Sequence, residues 1–236
     1  MRGPLPPAPG AVRTLLVLAV GVLPASRAKN FLLRRLGHRV APTARVSPCL
    51  LMRVGLLDLG PEARIGAGTV VRSVRLLRFE EGAGVLQWNW ISAAPAYQRY
   101  DPTDDRPGTF VMGRHAAIMS RHYLDVSGGL SMGEYSSFAG VRSTVITHGV
   151  DVEENVQLPR PVAVGVRTLL SSNVVVVPGT TVPDRCLVAM GSVIKGDLPH
   201  AGYLYAGSPA VAKRPIGGKH FERIEPYVHV PGPVSP

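Results

Sequence analysis

The sequence of 236 residues has few cysteines, few aromatic residues and no long hydrophobic run. Its two cysteines, Cys49 and Cys186, match no zinc, redox or disulfide spacing, so we expect a reduced interior without disulfides. The apolar stretch near the start, residues 14–23, is half of the about 20 residues that a membrane-spanning helix needs. These absences argue against a disulfide-stabilised protein, a cysteine-ligated metal site and a membrane-spanning helix.

Glycine and proline, by contrast, are abundant: the chain has 26 glycines and 22 prolines, and it is 45% hydrophobic but only 18% charged. A hydrophobic content this high excludes disorder for most of the chain. Because glycine and proline disfavour helix interiors by about 1 and 3 kcal/mol, the composition favours many short strands over an all-helical fold.

Acidic residues are missing from the first 53 residues, which hold nine of the 26 lysines and arginines; the first acid is Asp58. The rest of the chain is nearly balanced, so the net charge of +10 does not point to a nucleic-acid partner. Three interpretations of this arm stay open: a cleaved export signal, an amphipathic segment at an anionic membrane surface, or a helix or strand packed against its own domain.

An aliphatic residue returns at every sixth position in the second half of the chain: Val164, Leu170, Val176, Val182, Val188 and Ile194. A small or slim side chain follows four residues after each of the first five: Thr168, Val174, Thr180, Cys186 and Ser192. This period fits neither a helix nor a simple strand, and it predicts a solenoid in which three six-residue repeats form one triangular coil.

The same pattern occurs upstream with interruptions, at Val40, Val46, Leu59, Ile65, Val71, Phe79, Val85, Ile91, Met132 and Phe138. We expect these aliphatic residues to point inward. Glycines directly follow several of them, and we expect these to supply turn angles that other residues cannot adopt: Gly60, Gly66, Gly133 and Gly165.

Over about residues 40–215 the sequence resembles the hexapeptide-repeat acyltransferases, most closely the bacterial exopolysaccharide and sugar O-acetyltransferases. Residues 146–148 (Ile-Thr-His) look like the family's active-site turn, and residues 188–193 look like its closing coil. Residues 207–210, followed by Lys213 and Arg214, resemble its Gly-Asn-Pro-Ala signature with Ser208 in place of Asn. The resemblance implies an all-β fold, a left-handed parallel β-helix over residues 40–215, between an N-terminal arm (1–39) and a C-terminal tail (216–236).

Two segments break the period, residues 93–110 and residues 149–161. The first is polar and rich in turn formers and follows Trp88 and Trp90, so we expect an extruded loop. Insertions in solenoids leave one face and often shape binding sites.

His148 ends a repeat and stands directly before the second interruption, at the edge of a cleft. Its free pKa of about 6.5 suits a general base. We expect Asp125 or Asp151 to orient it, with His122 as a further catalytic candidate. The resemblance implies direct transfer of an acyl group, acetyl above all, from acyl-CoA to a saccharide hydroxyl. The resemblance also implies that the transfer needs no covalent enzyme intermediate.

The resemblance also implies a homotrimer that binds acetyl-CoA in a groove between subunits. The implied donor-binding residues are Ser171, Ser172, Ala189, Gly191, Ser192, Lys195, Lys213 and Arg214. We expect a cytoplasmic enzyme, with the arm as a possible contact to the inner face of the membrane.

Two alternatives remain. One is a non-catalytic β-helix scaffold. The other is a zinc enzyme similar to the gamma-type carbonic anhydrases, which needs three converging histidines. His115, His122 and His148 lack the spacing for it, so we expect no metal.

Overall fold

The coordinates are those of a computed structural model, and they describe residues 9–99, 104 and 106–225. Asp101 and Asp105 of the expected loop and the tail from residue 226 lie outside the described residues. Short strands stack into three flat faces, A, B and C, which follow one another along the chain in each coil; the pairing within the faces is parallel except between the last two strands of face B.

Face A contains β1 (Arg39–Val40), β4 (Leu56–Leu59), β7 (Leu76–Phe79), β10 (Thr109–Met112), β13 (Leu130–Met132), β18 (Val162–Val164) and β21 (Thr181–Val182). Face B contains β2 (Arg45–Val46), β5 (Arg64–Ile65), β8 (Gly84–Val85), β11 (Ala117–Ser120), β14 (Ser137–Val141), β19 (Leu169–Leu170), β22 (Leu187–Val188), β24 (Tyr203–Gly207) and β25 (Ala210–Pro215). Face C contains β3 (Leu50–Met52), β6 (Val70–Arg72), β9 (Trp90–Ser92), β12 (Tyr123–Asp125), β15 (Thr144–Val145), β20 (Val175–Val176) and β23 (Val193–Ile194).

The aliphatic residues of the six-residue repeat point into the prism. All six residues from Val164 to Ile194 are at most 3% exposed, as are the upstream members of the pattern. The slim residues, such as Thr168 and Cys186, are buried at the corners. One continuous core therefore runs along the coil axis, and the predicted left-handed parallel β-helix of hexapeptide repeats is confirmed.

The predicted role of the glycines after the aliphatic positions is wrong. Gly60, Gly66, Gly133 and Gly165 do not have positive φ; among the described residues, left-handed angles occur at other positions, twelve of them glycines and twelve other residues. These glycines are required by the close approach of successive coils. A Cβ at Gly66 would lie 2.3 Å from the backbone carbon of Leu86, and one at Gly133 would lie 2.6 Å from the nitrogen of Val166.

Two helices cover the first coil, α1 (Ala11–Gly21) and α2 (Arg27–Arg35), which begins after the N-cap Ser26. Val17 and Leu33 enter the core. Lys29 is buried, and its amine donates to the carbonyls of Gly21, Leu23 and Ser47 at 2.7–3.0 Å. Burial lowers the pKa of this amine. The arm thus packs against its own coil, as the third interpretation expected.

No helix among the described residues is long and apolar enough to cross a membrane. Two cations counted in the basic arm face inward: Lys29, and Arg13, which donates to the carbonyls of Leu36 and Gly55 at 2.8 and 2.9 Å. Both cysteines are free and buried, and burial raises the pKa of Cys49 to about 11.

Both interruptions leave from the same corner, where face C passes into face A. The first contains a short 3₁₀ helix (Pro95–Arg99), and the second is a hairpin of β16 (His148–Asp151) and β17 (Val156–Pro159). After β25, the tail packs on the coil through Phe221 and through Arg223, which lies over the Tyr135 ring.

Candidate active site

His148 lies at the C–A corner between the two insertions. Thr147 ends the corner, buried, and His148 opens β16 with its side chain 32% exposed. Its strand partner is Pro159, and Arg160 then ties the hairpin back to the coil through a backbone bond from its nitrogen to the Thr147 carbonyl (2.8 Å). The imidazole is therefore partly exposed at the start of the second insertion.

His148 pairs with Asp125 from the preceding coil. The distance from His148 Nδ1 to Asp125 Oδ1 is 2.9 Å, and the Asp125 side chain is 8% exposed. Since an ionised carboxylate only accepts hydrogen bonds, this contact assigns the proton to Nδ1. Nε2 then keeps its lone pair, and it has no hydrogen-bond partner within the described part of the chain.

A set of short polar side chains holds Asp125 in place. Its Oδ1 accepts from the Thr147 hydroxyl at 2.9 Å and from the Thr147 nitrogen at 3.2 Å. Its Oδ2 accepts from the Ser127 hydroxyl at 2.7 Å. Gly128 is needed beside them because a Cβ there would lie 2.1 Å from the Thr147 carbonyl oxygen. The carboxylate is thus rigidly oriented toward the imidazole.

The Tyr97 ring lies against His148 and Gln157 bonds to Tyr97; sequence reasoning identified neither residue. The Tyr97 ring lies 5.1 Å from the His148 ring at 35°, and its hydroxyl donates to Gln157 Oε1. Burial, and then the charge of Asp125, raise the pKa of Tyr97, so its phenol stays protonated. Both residues lie in the interruptions, which is the signal that could have drawn attention to them.

The other two residues proposed beside His148 lie elsewhere. Asp151 accepts from the nitrogens of Glu153 and Glu154 in the hairpin turn, at 3.1 and 3.2 Å. His122 is buried at the opposite end of face C, where its Nδ1 accepts from the Ser143 nitrogen at 3.1 Å and its ring meets Phe138. Burial lowers the pKa of His122 to about 4. Of the two candidate acids, the structure brings Asp125 to His148.

The expected donor-binding residues divide among three places. Five of them lie together at the B–C corner: Ser171, Ser172, Ala189, Gly191 and Ser192. Ser172 and Ser192 bond to the coil there, through Oγ contacts from the nitrogens of Val141 and Gly207. Lys195 is exposed after face C, and Lys213 and Arg214 are exposed on β25. Within one chain none of these residues contacts His148.

The three histidines considered for a metal occupy three different corners. His115 lies between faces A and B against Tyr135, His122 between B and C, and His148 between C and A. Across the described ranges, no three His, Cys, Asp or Glu residues are grouped so as to hold a metal ion.

Comparison with known proteins agrees with the repeat. A family model described as the hexapeptide repeat of succinyl-transferase matches residues 161–195. A search of the curated proteins found no significant match.

Similar solved structures include a maltose O-acetyltransferase from Clostridium difficile 630, with 17% identity, a TM-score of 0.44, and coverage of 59% of this chain and 71% of that one. A hexapeptide-repeat acetyltransferase from Vibrio cholerae O1 biovar eltor, complexed with acetyl coenzyme A, shares 23% identity with a TM-score of 0.41, over 46% of this chain and 61% of that one. An N-acyltransferase mutant from Bacillus cereus, in complex with dTDP-4-amino-4,6-dideoxyglucose and coenzyme A, shares 13% identity with a TM-score of 0.47. The match covers 80% of this chain and 90% of that one.

The stacked six-residue repeats and the matching repeat model define a hexapeptide-repeat protein with a parallel β-helix. In this particular chain, a His–Asp pair stands at one corner between two insertions.

Proposed function

We propose that this protein is a CoA-dependent O-acyltransferase that moves an acyl group, acetyl above all, from acyl-CoA to a hydroxyl of a saccharide. The observation that carries the proposal is the 2.9 Å pair of His148 Nδ1 and Asp125 Oδ1, with Nε2 left free between the insertions. A free imidazole nitrogen backed by an oriented carboxylate suits proton removal from a hydroxyl near neutral pH. The repeat model and the active-site turn at residues 146–148 support the same chemistry.

In the proposed reaction, His148 Nε2 takes the proton of the acceptor hydroxyl while its oxygen attacks the thioester carbon. The new C–O bond forms, the C–S bond breaks, and the imidazolium returns the proton to the thiolate of CoA. Asp125 keeps the imidazole in the required tautomer and stabilises its charged form. No covalent enzyme intermediate is part of this route, and both cysteines are buried.

We propose that the active unit is a trimer, because the five clustered donor candidates and His148 occupy different corners of one prism. If face C of each copy faces a threefold axis, the B–C corner of one copy meets the C–A corner of the next. The outward row of face C is suited to such cover, since it carries exposed apolar side chains: Leu50 (40%), Trp90 (39%) and Tyr123 (44%). Acyl-CoA would then bind between copies.

We further propose peripheral membrane contact through α1 and α2. The outward side of α1 carries only apolar residues, among them Val12 (73% exposed), Leu15 (66%) and Leu16 (49%), and α2 adds Phe31 (54%). Exposed arginines of α2 lie on the same helix face as Phe31, namely Arg27, Arg34 and Arg35, and no acid precedes Asp58. An anionic bilayer can take up the apolar side chains at its interface, and its headgroups attract the arginines.

The test of the proposed activity is release of free CoA from acetyl-CoA in the presence of a panel of neutral and acidic saccharides. We expect release that depends on the saccharide, with an O-acetylated product by mass spectrometry and no loss of activity on dialysis against a chelator. A chain that binds acetyl-CoA but modifies no hydroxyl, or that needs zinc, would contradict the proposal.

A further inference from the structure

The two insertions meet directly above His148. The first contributes Tyr97 and the second contributes Gln157, which are 60 positions apart and joined by the bond from the Tyr97 hydroxyl to Gln157 Oε1. Tyr97 is only 6% exposed although it lies in an insertion outside the continuous core. The stacking of the coils does not require the contact between this buried tyrosine and the candidate base.

The Tyr97 ring restricts where the imidazole can lie. The Tyr97 ring contacts one face of the His148 ring, with the two ring centroids 5.1 Å apart. Asp125 holds the edge of the His148 ring through its hydrogen bond with Nδ1. The first insertion is itself fastened to the pair: the Ala94 nitrogen donates to Ser127 Oγ at 2.9 Å, and Ser127 donates to Asp125 at 2.7 Å. The loop and the His–Asp pair therefore form one connected unit.

The Tyr97 hydroxyl also fixes the Gln157 amide. Since the phenol donates to Oε1, the amide NH2 group is left with two donors, and it has no partner among the residues described. Gln157 is exposed on β17, the strand that pairs with the strand of His148. Its two donors are thus free on the hairpin that begins at His148.

We propose that Tyr97 is the positioning residue of this site: its ring holds the His148 imidazole in line with Asp125, and its hydroxyl holds the Gln157 amide so that the amide donates to a second hydroxyl of the acceptor. This inference rests on the proposed acyl transfer. It narrows the acceptor to a polyhydroxylated molecule with a free hydroxyl close to the one acylated, because Gln157 and His148 must each contact one.

The ring contact is tested without any activity, by NMR of the full chain labelled at histidine. The signal of the His148 ring is assigned by its loss in His148→Ala. We expect Tyr97→Phe, which keeps the ring, to leave that signal in place, and Tyr97→Leu to shift it. An unchanged signal in a folded Tyr97→Leu variant would overturn the positioning role.

The amide contact is tested by separating kcat from KM for the saccharide. Loss of one neutral hydrogen bond predicts that Tyr97→Phe and Gln157→Ala each raise KM about 3- to 10-fold with little change in kcat. Tyr97→Leu should instead lower kcat by at least about tenfold, since the base is no longer aligned. Val156→Thr, next to Gln157, is the matched control and should change neither constant.

A KM unchanged in Gln157→Ala, or a kcat as low in Tyr97→Phe as in Tyr97→Leu, would overturn the proposed division of roles. If the wild-type chain transfers no acyl group, the proposed function fails, while the NMR comparison still decides whether Tyr97 positions His148.

Discussion

At the scale of single residues, the buried histidines of the coil behave differently from His148 because of what their ring nitrogens contact. Nδ1 of His38 accepts from the Leu57 nitrogen, and Nδ1 of His122 accepts from the Ser143 nitrogen, each at 3.1 Å. Burial lowers the pKa of both histidines to about 4, and the charge of Arg13 also acts to lower the pKa of His38. Both rings are therefore neutral structural groups at pH 7.

This predicts a pH-dependent stability. Between about pH 6.5 and pH 4 the unfolded chain binds protons at these histidines that the folded chain does not, so stability falls as the pH falls through this range. Each histidine accounts for a loss of up to about 3 kcal/mol in the free energy of unfolding over this pH range. Denaturant unfolding from pH 4 to 7 measures the slope. His122→Asn keeps an acceptor for Ser143 and should flatten the slope without loss of acyl transfer; an unchanged slope would contradict this account.

The sequence predicted His148 and Asp125 but not what surrounds them. His148 could be found because it interrupts a strict period beside a turn that resembles a known active site. Choosing Asp125 over Asp151 needed the stacking of coils, which places residues 23 positions apart within 2.9 Å. Tyr97 could not be chosen, because the path of an insertion has no period to reveal it.

At the scale of elements, the six-residue strands followed from sequence, whereas the two N-terminal helices did not. A short apolar run among arginines is compatible with a packed helix or strand, with a signal and with a surface segment. What distinguishes them is tertiary: Lys29 and Asn30 of α2 cap backbone carbonyls of the first coil, such as Ala44 O at 2.7 Å from Asn30 Nδ2. Such long-range contacts leave no local pattern.

The helices give a prediction about lipid vesicles. We expect the chain to float with vesicles containing anionic lipid and not with neutral ones, because α2, which packs beside α1, carries exposed arginines. Leu15→Glu combined with Leu16→Glu should lower the bound fraction at least tenfold, since each leucine is worth about 1.5–3 kcal/mol when buried. Val152→Glu, at an even more exposed apolar position of the hairpin, is the control and should bind like wild type.

Equal flotation of the double variant would refute the membrane contact. If the wild type does not bind vesicles and the double variant differs from it only in sedimentation, α1 contacts a second copy of the chain.

At the scale of the whole molecule, the separation of the B–C and C–A corners predicts a site shared between copies. A trimer formed from His148→Ala chains alone should be inactive, as should one formed from Ala189→Trp chains, in which the donor groove is blocked. Random reassembly of His148→Ala and Ala189→Trp chains in equal amounts should restore about a quarter of wild-type activity. One interface in four then combines an intact base from one chain with an intact groove from the other. No recovery in mixed trimers, or a monomer by light scattering, would contradict a shared site.

The most direct test of the account is the rate of acyl transfer in His148→Ala under single-turnover conditions, beside its melting temperature and its affinity for acetyl-CoA. Because the imidazole is partly exposed and lies outside the core, its loss should leave folding and donor binding nearly unchanged. Loss of a general base should lower the rate by about 10²- to 10⁴-fold. A rate within tenfold of wild type, or a variant that unfolds, would contradict the assignment of His148 as the base.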